Sequence, residues 1–262
     1  MKGVILAGGK GSRLYPMPQV TNKHLVPVGN LPMIEYPLYT LRQLGIDGSS
    51  IVTGGEHFSS ISQYLMAVHP DLVFSYYPQP QAGGIAQALS LVEPSVRGEN
   101  MAVILGDNIF DGNFSDAAKK FEESDLGAML FLKRIKNPER FGVAELNNDL
   151  IVGIEEKPKT PKSDLAVTGL YFYDESVFDK IRTLYPSARG EYEITDVNNL
   201  YIKEGRLGYH IIEGFWGDAG TIKSRTASED FVRNGLERKI LLSLASNQEV
   251  LKRLKESFED NL

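Results

Sequence analysis

Residues 2–14 read Lys2-Gly3-Val4-Ile5-Leu6-Ala7-Gly8-Gly9-Lys10-Gly11-Ser12-Arg13-Leu14. An apolar run that passes straight into three glycines has the pattern of a buried strand opening a loop. The bare backbone N–H groups of such a loop can come close to phosphate oxygens. Two familiar templates do not fit. The pattern G-x-x-x-x-G-K-[ST] is absent, and a dinucleotide fingerprint begun at Gly9 would require glycine where Leu14 stands. What remains is a glycine-rich approach followed by one arginine, Arg13, able to grip phosphate oxygens.

Outward from this loop, strand-like and helical stretches alternate. Lys2–Ala7, Ser50–Thr53, Leu72–Tyr77, Met101–Leu105 and Gly127–Lys133 read as strands. Between them Pro32–Leu44, Ser59–Val68, Ile85–Val92 and Phe114–Ser124 read as helices, the first with Pro32 near its start and Gly45 just past its end. This alternation predicts βαβ units and a mainly parallel sheet covered on both faces. After Asn137 the helices thin out. Phe141–Leu146, Ile151–Glu155, Val167–Tyr173 and Leu207–Ile212 are strand-like, Glu193–Glu204 is helical, and everything from Thr221 is helical and charged. Ser246 with Glu249 forms a capping box for a last helix that carries Leu251, Leu254 and Phe258 on one face. The expected fold class is α/β: a Rossmann-like mixed, mainly parallel sheet flanked by helices, with added strands in the second half and a short helical C-terminal tail. Without a repeat or a linker, residues 1–220 are expected to make one domain. Residues 221–262 make a helical extension, packed on that domain or forming a subunit contact.

Composition narrows the function. The chain has 262 residues and no cysteine, which excludes disulfides, thiolate metal sites and cysteine nucleophiles and suits a reducing cytoplasm. Its net charge of -6 argues against a broad nucleic-acid or anionic-membrane surface, though not against a small basic pocket. No apolar run approaches the length needed to span a bilayer, and no leader peptide is expected, because the first apolar run meets glycines rather than a cleavage site. His57, His69 and His210 are scattered and match no nucleophile arrangement; they read as structural or exposed.

The loop and a series of later blocks together resemble the sugar-nucleotide pyrophosphorylase family, a group of nucleotidyltransferases, most closely its thymidylyltransferase branch. The blocks are Gly8-Gly9-x-Gly11-x-Arg13-Leu14, Asn22-Lys23-His24-Leu25-Val26-Pro27-Val28, Gln79-Pro80-Gln81-Ala82-Gly83-Gly84-Ile85-Ala86-Gln87-Ala88 and Leu105-Gly106-Asp107-Asn108. They continue through Glu139-Arg140-Phe141-Gly142-Val143, Glu155-Glu156-Lys157-Pro158, Ala166-Val167-Thr168-Gly169-Leu170-Tyr171, Arg189-Gly190-Glu191-Tyr192-Glu193-Ile194-Thr195-Asp196 and Trp216-Gly217-Asp218-Ala219-Gly220. Each block alone is weak, and the ordered set is specific.

The resemblance implies transfer of a nucleotidyl group from dTTP to glucose 1-phosphate, releasing pyrophosphate. It implies Mg²⁺ on Asp107 and Asp218, the sugar phosphate on Lys157 and a sugar hydroxyl on Glu156. Arg13 and Lys23 lie near the nucleotide phosphates, and Gln79 with Gly84 lies in the base pocket. Gly142, Val167 and Tyr171 meet the sugar. Gly8, Gly9, Gly11, Ser12 and Asn108 complete the expected substrate contacts. A homo-oligomer is expected.

Asp107 also follows an apolar strand directly, where open α/β sheets bind ligands. His24 stands where the long-form enzymes commonly carry glutamine, and no role is assigned to it. Those enzymes have a larger C-terminal region with a second, regulatory nucleotide site. Only 42 residues follow Gly220 here, so control through such a site is not expected. Two rivals remain at this point: a uridylyltransferase using UTP, and a silent sugar-nucleotide-binding subunit. The second would be expected to lack one of the key charged residues, whereas Arg13, Lys23, Asp107, Lys157 and Asp218 are all present.

Overall fold

In the computed structural model, which describes residues 1–9, 11–54 and 58–244, the first apolar run forms strand β1 (Lys2–Ala7), buried from Gly3 onward. The later strands are β2 (Pro27–Val28), β3 (Leu31–Pro32), β4 (Gly48–Gly54), β5 (Val73–Gln79), β6 (Met101–Leu105), β7 (Asn108–Phe110) and β8 (Ala128–Arg134). Then come β9 (Gly142–Asn147), β10 (Leu150–Glu156), β11 (Leu165–Tyr173), β12 (Leu207–Ile211) and β13 (Trp216–Asp218). The helices are α1 (Glu35–Gln43), α2 (Phe58–Val68), α3 (Ile85–Ser90), α4 (Glu93–Val96), α5 (Ser115–Glu122), α6 (Val177–Arg182), α7 (Ile194–Lys203), α8 (Ile222–Phe231) and α9 (Glu237–Leu244).

The main sheet runs β5-β4-β1-β6-β11-β8-β12. Strands β5, β4, β1 and β6 are parallel, so Gln79, Gly54, Ala7 and Leu105 end at one edge. Strand β11 runs antiparallel to both β6 and β8, and the β9–β10 hairpin joins it through the Ala166–Val143 pair. The expected α/β class holds, with the added strands in the second half.

Side chains alternate between the two faces of the sheet. Val4, Leu6, Val103 and Leu130 enter one core with α3, α6 and α7. Ile5, Ala7, Ile104 and Phe131 enter the other with α1, α2 and α5. Strands buried on both faces read as unbroken apolar runs, which is why β1 and β6 stand out in the sequence.

A third cluster seats the C-terminal helices on the β2–β3 hairpin, with Val28, Leu31, Tyr36, Val232, Leu236 and Ile240 buried together. Asn30 donates to Glu237 Oε1 at 2.7 Å, and Arg225 Nη1 donates to the Pro27 carbonyl at 2.7 Å. Helix α8 carries a capping box of Thr221 and Ser224. Among the described residues no helix is long and apolar enough to cross a membrane.

Several local expectations change. Pro32 lies not in a helix but in β3, paired with Pro27; the helix starts later, at Glu35. Short hairpins of this kind tolerate proline because their outer N–H groups need no ladder partner. The expected helix Ile85–Val92 ends earlier, at Ser90 in α3, and the short helix α4 that follows it from Glu93 was not expected. Helix α6 and the three-residue strands β7 and β13 were not foreseen, being too short to show a period. The histidines take structural positions: His69 Nε2 meets Glu35 Oε1 at 2.9 Å, and His210 lies against Phe114 and Phe131. His57 and the last-helix residues Ser246, Glu249, Leu251, Leu254 and Phe258 lie outside the described residues.

Candidate active site

Most of the site residues that the sequence singled out come together beside the C-terminal edge of the parallel strands. The loop after β1 turns at Gly11, whose φ of 63° is left-handed, and a Cβ there would come within 2.8 Å of the Lys23 Cβ. Glycine therefore allows both the turn and the close passage of the Lys23 segment. Arg13 follows in a short 3-10 turn and makes no ion pair within 4 Å among the described residues.

Lys23 reaches across to β6. Its Nζ lies 2.8 Å from Asp107 Oδ2, with both side chains only 13% exposed. Burial works against the charge of Asp107, but the Lys23 ammonium overcomes it, helped by His24 and by Asn108, and the carboxyl lies below the ordinary carboxylate range.

Asn108 acts as a three-way tie. Its Nδ2 donates to Asp107 Oδ1 at 3.1 Å, while its Oδ1 accepts from Gly169 N at 3.0 Å and from Trp216 Nε1 at 2.7 Å. The expected substrate contact thus has a carboxamide oxygen already engaged by protein donors.

The tie reflects a ribbon that unites residues far apart in the chain. Strand β7 pairs with β13, Asn108 opposite Asp218, and Ala219 N donates to the Asp107 carbonyl at 2.8 Å. Asp218 Oδ1 accepts from Gly220 N at 2.8 Å. Its carboxyl is raised above the ordinary value by burial and then by the charge of Asp107, against the opposing pull of Gly220, Arg13 and Lys23. A Cβ placed on Gly220 would sit 2.8 Å from Asp218 Oδ1, 3.0 Å from Asp107 Oδ2 and 3.5 Å from Arg13 Nη2. One point thus lies within about 3 Å of both carboxylates, and only a residue without a side chain leaves it open.

Two cavities meet here. One, of about 280 Å³, is lined by Gly8, Gly9, Arg13, Lys23, Gln79 and Gly84. The other, of about 170 Å³, is lined by Gly142, Glu156, Lys157, Val167, Tyr171 and Asp218. Arg13, Ile85, Leu105 and Asp107 line both. Gly11 and Ser12 line neither; Gly11 instead packs on Lys23 and Pro18.

In the smaller cavity, Glu156 Oε2 accepts from Thr195 Oγ1 at 2.6 Å, and Glu156 Oε1 lies 3.5 Å from Lys157 Nζ. A Cβ on Gly142 would crowd Thr195 Oγ1 at 3.3 Å. Lys157 holds a left-handed φ of 45° at the end of β10, an unfavoured conformation for lysine that the hydrogen bond from its N to the Phe141 carbonyl helps to fix. Val167 and Tyr171 are buried on β11.

In the larger cavity, Gly84 has φ 99°, and a Cβ there would lie 2.5 Å from the Tyr192 carbonyl oxygen. Gln79, only 7% exposed, ends β5 and donates from Nε2 to Gln87 Oε1 at 2.6 Å.

His24 lines neither cavity. It is buried, its Nδ1 lies 2.9 Å from Asn22 Oδ1, and its titration is lowered by burial and by Lys23 against the pull of Asp107. Site-lining residues not foreseen as such include Thr195, Trp216, Arg140 and Glu191. All four of these lie in blocks quoted for the resemblance, yet nothing in their local pattern distinguishes them from ordinary loop or helix residues.

A glycine loop, two neighbouring carboxylates and an arginine shared by two adjoining cavities have the charges and the bare backbone that phosphorylated ligands need. A sequence model of the family "Nucleotidyl transferase" matches residues 2–234, and the chain belongs to that family. Among its relatives, a glucose-1-phosphate thymidylyltransferase of Neisseria meningitidis serogroup A is 44% identical over 239 residues, covering 89% of this chain and 83% of the relative. One from Mycobacterium tuberculosis is 40% identical over 258 residues, covering 97% and 89%. A crystal structure from Bacillus anthracis, described as a glucose-1-phosphate thymidylyltransferase in complex with sucrose, superposes with a TM-score of 0.84 at 50% identity, covering 89% of this chain and 95% of that one.

Proposed function

We propose that this chain transfers the thymidylyl group of dTTP to glucose 1-phosphate, giving dTDP-glucose and pyrophosphate, in a cysteine-free protein suited to the cytoplasm. The observation that carries the reading is the pair of cavities joined at Arg13 and Asp107. A triphosphate in the larger and a sugar phosphate in the smaller would bring their phosphates together at that junction.

An oxygen of the sugar phosphate attacks the α-phosphorus, the α–β bond breaks, and pyrophosphate leaves with the electron pair. The attacking oxygen is ionised at neutral pH, so no general base is required. The barrier lies in aligning two anions, and positioning with charge stabilisation supplies the catalysis. Lys157, held in its left-handed turn, orients the attacking phosphate. Glu156, fixed by Thr195, offers its free acceptor capacity to a sugar hydroxyl. Arg13, exposed and without an ion pair among the described residues, meets the charge that builds on pyrophosphate. Lys23 holds Asp107 in place and ionised.

Asp107 and Asp218 would hold a divalent cation at the point in front of Gly220. Two carboxylates with phosphate oxygens are the hard donor set that Mg²⁺ prefers. When bound, the ion supplies neutralisation of the phosphate charge.

Steady-state turnover of the purified protein with dTTP, UTP, CTP, ATP and GTP, each against several sugar 1-phosphates, tests the reading. Turnover with dTTP and glucose 1-phosphate is expected. UTP is also expected as a substrate, since one methyl group changes affinity by only about 1–3 kcal/mol. Equal efficiency with ATP or GTP would exclude a pyrimidine pocket at Gln79 and Gly84.

A further inference from the structure

Gln79 lines the larger cavity and ties it to α3. Its Nε2 donates to Gln87 Oε1 on α3 at 2.6 Å. Its Oε1 points the other way, toward the glycine loop, and lies only 2.0 Å from where a Cβ on Gly8 would be. Gly8 and Gln79 both line this cavity, and Gln87 does not. Gln87 is half-buried and folds over the turn before α3; a Cβ on Gly83 would lie 3.2 Å from its Cγ and 3.3 Å from its Oε1.

A carboxamide has nearly the same shape when turned by half a rotation, but its donor and acceptor then change places. Which face Gln79 presents therefore depends on the group that its Nε2 meets. With Nε2 committed to an accepting oxygen, the Gln79 oxygen is left at the loop side as an acceptor. Thymine and uracil carry an N3–H donor at the edge that such an acceptor would read. Cytosine presents a lone pair at N3, which would face another lone pair with no hydrogen between them. Leaving buried polar groups unpaired is what makes such discrimination strong.

We infer that Gln87 is a positioning residue for base selection: by accepting from Gln79 Nε2 it fixes the Gln79 oxygen toward Gly8 and the cavity, admitting pyrimidines with an N3–H and rejecting cytosine. This rests on the pyrimidine-pocket reading given above. It assigns selectivity to a side chain on α3 that does not line the pocket.

The test compares kcat/KM for dTTP and CTP in the wild type, Gln87→Met and Gln87→Glu, with thermal melting to check the fold. Methionine offers only a weakly accepting thioether in place of the carboxamide oxygen, so the Gln79 carboxamide can turn and the dTTP-to-CTP ratio should fall by about tenfold, the worth of one neutral hydrogen bond. Glutamate can only accept, so Gln87→Glu should keep the wild-type ratio even if all triphosphates bind more weakly. A ratio unchanged in Gln87→Met, a ratio lost in Gln87→Glu, or a uniform loss across triphosphates in Gln87→Met would overturn the inference. If Gln87→Met does not fold, Gln87→Ala carries the same comparison. A wild-type enzyme that accepts CTP as readily as dTTP also overturns it. Wild-type use of purine triphosphates as efficient as that of dTTP is a different outcome, and it identifies the pocket reading itself as the failure.

Discussion

Lys23→Met deletes an ammonium that lies 2.8 Å from Asp107 Oδ2 in a site where both side chains are 13% exposed. Removing one partner of a buried ion pair typically costs about 3–5 kcal/mol, because the other charge stays buried and unpaired. Here Asn108 still donates to Asp107 Oδ1, and the pair is not wholly dry. The expected loss at pH 7 is accordingly about 2–3 kcal/mol.

The dependence on pH should also reverse. In the wild type the folded-state carboxyl of Asp107 lies below its unfolded value. Its stabilising contribution is present above the unfolded value and is lost as pH falls through the folded one. Without Lys23, burial becomes the dominant influence and pushes the carboxyl above the unfolded value. The variant then binds a proton on folding, and its deficit shrinks as pH falls from 7 toward about 4. Urea unfolding of both proteins at several pH values, in chelator, reads this directly. Adding Asp107→Asn to Lys23→Met should recover part of the loss at pH 7, since the orphaned charge is gone. A loss under about 0.5 kcal/mol, the range of ordinary surface changes, or a deficit that does not vary with pH, would refute a buried pair at this site.

Gly220→Ala should fold but lose most activity, because the new methyl lies 2.8 Å and 3.0 Å from the two carboxylate oxygens; melting and turnover measured together check this, and a fully active variant would show that the point between the carboxylates is not used. Asp107→Asn and Asp218→Asn should each abolish most turnover, and the double variant should be little worse than the poorer single one, since one ion would serve both; losses that multiply independently contradict a shared cation. Lys157→Ala should raise KM for glucose 1-phosphate by at least about tenfold while changing that for dTTP far less, as only the attacking phosphate loses a charge-assisted contact; equal effects on both substrates would remove Lys157 from its assigned position.

Much of the frame is legible in residue order alone. Apolar runs such as Val4–Ala7 and Met101–Leu105 announce strands buried on both faces, and their alternation with helical patterns specifies a parallel sheet with its binding edge at the strand C-termini. Gly8, Gly9 and Arg13 could be marked as phosphate-facing because glycine and arginine have few other reasons to follow a buried strand so closely. Asp107 was marked by the same logic.

The arrangement that makes these residues a site has no local signature. Asp107 and Asp218 lie 111 positions apart, and a ribbon of two three-residue strands brings them to one point. Strands that short have no period to read, and their pairing follows from Trp216, Asn108 and Gly169 meeting across three segments of chain. The pairing of Lys23 with Asp107, and of Gln79 with Gln87 rather than with solvent, was likewise decided only by packing. Composition and order determined which chemistry this protein could hold, because propensity and charge belong to residues. Which oxygen faces which nitrogen was left to the tertiary structure, because ångström distances between remote segments depend on how both cores close around the sheet.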